Sequence, residues 1–147
     1  MHIKLMGYFL VTLQFLAIIL CCFPFGLADR NFMASLLLVT IGLVAGIITL
    51  YFNRLSNFNI HPEIKHNADL ITHGPYKYIR HPMYTSLFIV MLGITIYNFH
   101  YLNFIGLTIL VPVLIAKSHI EETLLKDSFP EYLDYMARTK KFIPFVF

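Results

Sequence analysis

Charge is what this sequence has least of. Asp, Glu, Lys and Arg make up 13% of its 147 residues, where a soluble domain carries about a quarter. No charged side chain occurs from Leu5 to Ala28, from Asn31 to Asn53, or from His81 to Ala116. These apolar runs lack the polar stripe that a water-facing helix needs, which excludes an ordinary soluble bundle. Cysteine is scarce too. Cys21 and Cys22 are adjacent, so they offer no spaced metal-ligand pattern, and a disulfide between neighbours is strained; they read as apolar filler. There is no glycine-rich phosphate loop, dinucleotide fingerprint or His-Glu-x-x-His helix, and no Gly-x-Ser-x-Gly elbow surrounds Ser86 or Ser118. A soluble Rossmann-type site, a metal site and an acyl-transfer triad therefore have no support. No basic cluster has the footprint of a nucleic-acid surface.

What is present is apolar: 58% of residues are hydrophobic and the mean hydropathy is +0.70. The first two uncharged runs each suffice for one bilayer crossing of roughly 20 residues. The third has 36 residues and a polar centre, "YNFHYLN", which predicts a turn between two spans. The pattern predicts an all-α polytopic membrane protein with four transmembrane helices, over 5–26, 33–52, 84–98 and 101–116. The last two are short for a bilayer and are expected to borrow turns from "HPMY" and "KSHIEE"; Pro112 is expected to bend the fourth. The first run is longer than a signal-peptide core and lacks an Ala-x-Ala site, so it is expected to remain as an anchor. Gly42 and Gly46 form a small-xxx-small pair suited to close helix packing.

Ten of the eleven basic residues fall in one set of loops, and only Arg30 falls in the other. This asymmetry predicts that both termini and residues 53–82 are cytoplasmic, at an inner or plasma membrane. The lipid bilayer is the first expected partner; the oligomeric state is left open.

Polar chemistry collects in two places. Residues 54–82 contain "IHPEIKHNADLIT", an expected interfacial segment. They continue through Thr72-His73-Gly74-Pro75, a turn in which Gly74 is free to adopt positive φ. On a helical turn Tyr76 and Arg80 would share a face, as would Lys77 and His81. Pro82 is suited to start a helix. The second cluster follows the fourth span, with Lys117, Glu121 and Leu125 on one helical face and His119, Glu122 and Lys126 beside it. "FPEYLDY" then reads as an interfacial segment with its rings at headgroup level. The predicted topology brings both clusters to one membrane boundary, around a cofactor-sized pocket.

"DLITHGPYKYIRHPMY", followed beyond the next apolar run by "EETLLKDSFPEYLDYMARTKKFIP", resembles the isoprenylcysteine carboxyl methyltransferase family of integral membrane enzymes. The resemblance covers Arg54 to Pro144. It implies a single integral membrane domain over 1–147, with 1–52 as a two-helix scaffold and 53–147 as the methyltransferase-like core. It implies S-adenosylmethionine as cofactor and a small hydrophobic or lipid-like acceptor. Carried over by motif, Leu70 and Ile71 contact the adenosyl end, and Gly74 and Tyr76 line the pocket. His81, Pro82, Met83 and Tyr84 surround the methionine part, and Glu121 pairs with its ammonium group. His81 is expected in the cofactor shell rather than as a base, and Glu122 is expected to point elsewhere on the helix. The catalytic set implied is Lys117, Arg80 and Glu121. Lys117 stands where the prenylcysteine enzymes carry arginine, so the acceptor can be a carboxylate, a thiol or an amine. Lys117 either meets that acceptor or snorkels to the headgroups. Arg80 orders the loop, binds a carboxylate or anchors at headgroups. The alternative functions are an NADPH-dependent membrane reductase and a non-enzymatic membrane scaffold.

Overall fold

The computed structural model describes residues 2–24, 31–57 and 69–146. Arg30 and the "IHPEIKHNA" stretch, both invoked above, lie outside the described residues, as do Asp29, Asn59 and Phe147. Five α-helices follow in order: α1 (His2–Cys22), α2 (Phe32–Asn57), α3 (Pro82–Asn98), α4 (Tyr101–Ser128) and a short α5 (Tyr132–Arg138). A single 3-10 turn (Gly74–Lys77) precedes α3. Stretches Leu5–Cys22, Phe32–Asn53 and Tyr101–Ser128 are long and apolar enough to cross a membrane, and α3 is a shorter apolar helix of 17 residues. The protein is an all-α polytopic membrane protein.

Of the two short spans α4 borrows whole turns, whereas α3 gains only Pro82 and Met83 over its expected start. α3 begins at Pro82, whose missing N–H is no loss at a helix start. α4 runs twelve residues past its expected end at 116, through Lys117, Glu121 and Glu122, to Ser128. Charges that find partners within the protein allow the helix to continue where sequence alone marks a boundary. At 28 residues α4 is about 42 Å long at 1.5 Å per residue. That exceeds a hydrocarbon core of roughly 30 Å, so the helix continues past the lipid. Pro112 lies inside it without ending it.

Packing pairs α2 with α3 and α1 with α4. The Ser35 hydroxyl donates to Gly93 O at 2.6 Å, while Gly42 and Gly46 lie against Ser86 and Val90. The register falls on one helix as it rises on the other, so α2 and α3 are antiparallel. A Cβ on Gly42 would stand 2.9 Å from Val90 N and 3.0 Å from Ser86 O, so the backbones touch there. On the other pair, a Cβ on Gly106 would meet Ala17 O at 2.7 Å. Ala17, Cys21, Met91, Leu110 and Leu114 form the buried centre.

The turn between α3 and α4 is two residues, Phe99 and His100. His100 Nδ1 accepts from Leu102 N and the Asn103 side chain accepts from His100 N, a reciprocal helix cap. Asn98 and Asn103, both fully buried, reach across to the end of α1. The Asn103 amide donates to the carbonyls of Leu20, Cys21 and Phe23 at 2.9–3.1 Å, and Asn98 donates to those of Cys21 and Cys22 at 3.3 Å. The last carbonyls of a helix have no partner of their own, and these amides supply one. This end of the bundle is closed by polar capping, which leaves ligand chemistry to the other end.

Candidate active site

The site forms where the loop before α3, the last turns of α4 and the C-terminal segment meet. Gly74 has φ +62°, and a Cβ there would lie 2.5 Å from the Phe52 ring, so only glycine lets the loop pack against α2. The chain leaves the 3-10 turn after Lys77, and helical pairing of Tyr76 with Arg80, or of Lys77 with His81, does not form. Residues 78–81 instead run parallel to 140–141. Lys140 N donates to Tyr78 O, Arg80 N to Lys140 O at 2.8 Å, and His81 N to Lys141 O at 3.1 Å. The Thr85 hydroxyl adds a bond to Phe142 O at 2.8 Å.

Glu121 and Glu122 face different surroundings. The Glu121 carboxylate is 24% exposed, accepts a hydrogen bond from the Tyr84 hydroxyl and lies 3.4 Å from His81 Nδ1. The rings of His81 and Tyr84 stack at 5.6 Å and 12°. On the Tyr84 ring the Lys117 ammonium sits 5.4 Å from the centroid, and it donates to Gln14 Oε1 of α1 at 2.7 Å. Lys117 is only 2% exposed. That burial overturns the headgroup-anchor reading, because a snorkelling amine ends in water.

Glu122 is the buried hub that the motif comparison does not single out. Its carboxylate receives Arg80 Nε at 2.7 Å and lies 3.2 Å from both His81 Nε2 and Lys141 Nζ. It does not point away from the cluster, as expected of it, but into its centre. Arg80 also donates to Thr139 O at 2.6 Å, and its side chain is 10% exposed. Of its three expected roles, this geometry matches loop ordering. The two nitrogens of His81 face two different carboxylates, so the three side chains do not converge on one point as metal ligands do.

Burial works against a charged His81, but the hydrogen bonds and charges of Glu121 and Glu122 outweigh it and raise its pKa above 6.5. Burial also raises the phenols of Tyr76, Tyr132 and Tyr135 well above the ordinary range, so all three stay neutral. Tyr135 uses its hydroxyl to hold Tyr76 O at 2.7 Å. Tyr132 and Tyr135 are 1% and 5% exposed. They pack inward from α5, and the "FPEYLDY" segment does not present them to headgroups.

The other expected site residues surround this cluster. Ile71, His81 and Pro82 are buried; Leu70, Gly74, Tyr76, Met83 and Tyr84 are partly exposed. Sequence reasoning missed Glu122, Lys141 and Gln14. Gln14 had a signal, since it is the one side-chain amide in the Leu5–Cys22 span, where polar groups are costly. Lys141 had none, being one of several basic residues near the end of the chain.

A partly exposed Glu121 carboxylate, two stacked rings and a ring face that already accepts an ammonium suit a cationic ligand. A family model described as phospholipid methyltransferase matches residues 30–132. The nickel-cobalt-cadmium resistance protein NccN of Alcaligenes xylosoxydans xylosoxydans is 34% identical over 85 residues. The match covers 53% of this chain and 37% of that protein, so the chain spans little more than a third of its relative. On the strength of the family match, the chain belongs to the phospholipid methyltransferase family, part of the isoprenylcysteine carboxyl methyltransferase family of membrane methyltransferases.

Proposed function

We propose that the protein is an S-adenosylmethionine-dependent methyltransferase acting on a hydrophobic or membrane-associated acceptor. The observation that carries this reading is the Glu121 carboxylate, held by Tyr84 and His81 yet 24% exposed, in a chain of this family. When bound, S-adenosylmethionine supplies a methyl group already activated on a sulfonium, so the protein needs no metal to activate it. The residues' work is alignment, charge placement and exclusion of water.

Glu121 holds an ammonium group. Tyr84 keeps Glu121 in place with its hydroxyl and offers its ring to positive charge. Leu70 and Ile71 supply an apolar wall, while Gly74, Tyr76, Pro82 and Met83 shape the rest of the cavity. His81 orients Glu121 from behind. Lys117, four residues before Glu121 on the same face, meets an anionic or electron-rich acceptor. Arg80 orders the loop. The domain division follows: residues 1–52 act mainly as scaffold and 53–147 as the core, with Gln14 as the scaffold's contribution to the site. The basic-residue asymmetry supports a cytoplasmic site with both termini on the same side.

Calorimetry on the detergent-purified protein tests the reading, with S-adenosylmethionine and NADPH compared. Binding of S-adenosylmethionine alone is expected. Binding of NADPH alone, or of neither, would reject it. Methyl-transfer assays across prenylcysteine analogues, lipids, thiols and amines then identify the acceptor.

A further inference from the structure

Three basic side chains from two chain segments converge on Glu122. Arg80 and His81 come from the loop before α3, and Lys141 comes from the C-terminal segment. Lys141 also lies 3.3 Å from His119 Nδ1, and Arg80 reaches back to Thr139 O. The carboxylate is thus enclosed by protein groups, with its side chain 7% exposed, whereas that of Glu121 is 24% exposed. We infer that Glu122 is a positioning residue. It locks residues 139–142 alongside residues 78–81, and so fixes the His81 ring on which the placement of Glu121 depends. The inference rests on the methyltransferase reading and divides the labour of the Glu-Glu pair. Glu121 contacts the cofactor, and Glu122 builds the wall that holds Glu121 ready.

The geometry supports this division in two ways. The two nitrogens of His81 are 3.4 Å from Glu121 and 3.2 Å from Glu122, so the ring transmits the position of one carboxylate to the other. The amides of Arg80 and His81 donate to Lys140 O and Lys141 O, so the same lock is visible in the backbone. Loss of the Lys141 anchor removes the C-terminal segment's ion pair to Glu122 and leaves it to the backbone bridge and to the bonds that Arg80 and Thr85 make to Thr139 O and Phe142 O, so it is expected to open more readily.

The test uses the full-length protein in detergent, first without cofactor. Amide exchange is followed at Arg80 and His81, and nitrogen NMR reports the His81 ring. Glu122→Gln is expected to speed both amides at least about tenfold and to shift the Nε2 resonance. Lys141→Gln, which leaves the Arg80–Glu122 pair intact, gives the same exchange effect if Glu122→Gln fails to fold, and Lys141→Arg restores slow exchange. Calorimetry with S-adenosylmethionine should then show affinity falling about tenfold in the loosened variants and recovering with Lys141→Arg. Asp127→Asn, an exposed charge removal on the same helix, should leave exchange and affinity unchanged. Affinity lost with exchange unchanged would make Glu122 a direct ligand contact and overturn the inference. Faster exchange at full affinity would overturn it too, since the locked segment would then not serve the site. If wild-type protein binds no S-adenosylmethionine, the methyltransferase reading fails, while exchange and the His81 resonance still decide whether Glu122 makes the lock.

Discussion

Glu121 and Lys117 lie four residues apart on α4, and under the methyltransferase proposal they divide the chemistry between them. Removing the charge of Glu121 while keeping its shape, as Glu121→Gln, loses a charge-assisted bond of about 1.5–3 kcal/mol. Calorimetry is expected to show S-adenosylmethionine binding weakened roughly 10- to 150-fold in folded protein. Unchanged affinity would remove Glu121 from the site. Lys117→Met keeps a long side chain without the ammonium; cofactor affinity should hold while methyl transfer falls at least about tenfold, and Lys117→Arg should retain more activity toward a carboxylate. His81 carries a pH signature. Its folded pKa lies above the unfolded 6.5, so its ion pairs stabilise the protein fully below about pH 6.5 and lose that effect as pH rises through the folded value. Thermal unfolding from about pH 6 to about pH 9 should show the midpoint declining, and His81→Gln should flatten that slope. The identities of His81, Tyr84, Glu121 and Lys117 were legible in the motifs. Their mutual contacts were not, because sequence spacing carries no information on which carboxylate a ring nitrogen will face.

Among the elements, α3 and α4 do most to place the site, and glycine sets how near their partners come. Gly42 and Gly46 look alike as a sequence pair, yet a Cβ on Gly42 would meet the Val90 side chain at 2.6 Å, while one on Gly46 would find its nearest neighbour at 3.4 Å. Gly42→Ala should therefore destabilise the protein by about 1–3 kcal/mol through overpacking, and Gly46→Ala by less than about 0.5 kcal/mol. Unfolding in detergent measures both; equal effects would mean that α2 and α3 readily move apart. Helix existence followed from uncharged runs. Helix ends did not, and α4 is the clearest case. Its continuation from 117 to 128 depends on Gln14, His81 and Arg80 satisfying charges that a linear reading assigns to water.

For the whole molecule, the antiparallel pairing of α1 with α4 and α2 with α3 gathers the polar loop and the C-terminal segment at one end, with the Asn98–Asn103 caps at the other. Cysteine accessibility labelling should place Asn59 and the C-terminus on the cytoplasmic side and Asp29 and His100 on the opposite side. Opposite labelling of Asn59 and the C-terminus would overturn the four-helix topology.

Composition alone determined that this chain is a helical membrane protein, because charge-free runs can lower their free energy in lipid only as helices that satisfy their own backbone. The order of motifs determined which residue types could meet at one boundary. The tertiary structure decided which of them do. It enclosed Glu122 among three basic side chains and left Glu121 partly exposed, turned Tyr132 and Tyr135 inward, and brought Gln14 to Lys117 across 103 residues of chain. Those outcomes depend on helix register and on the path of the C-terminal segment. Both follow from packing among distant residues, which no local pattern encodes.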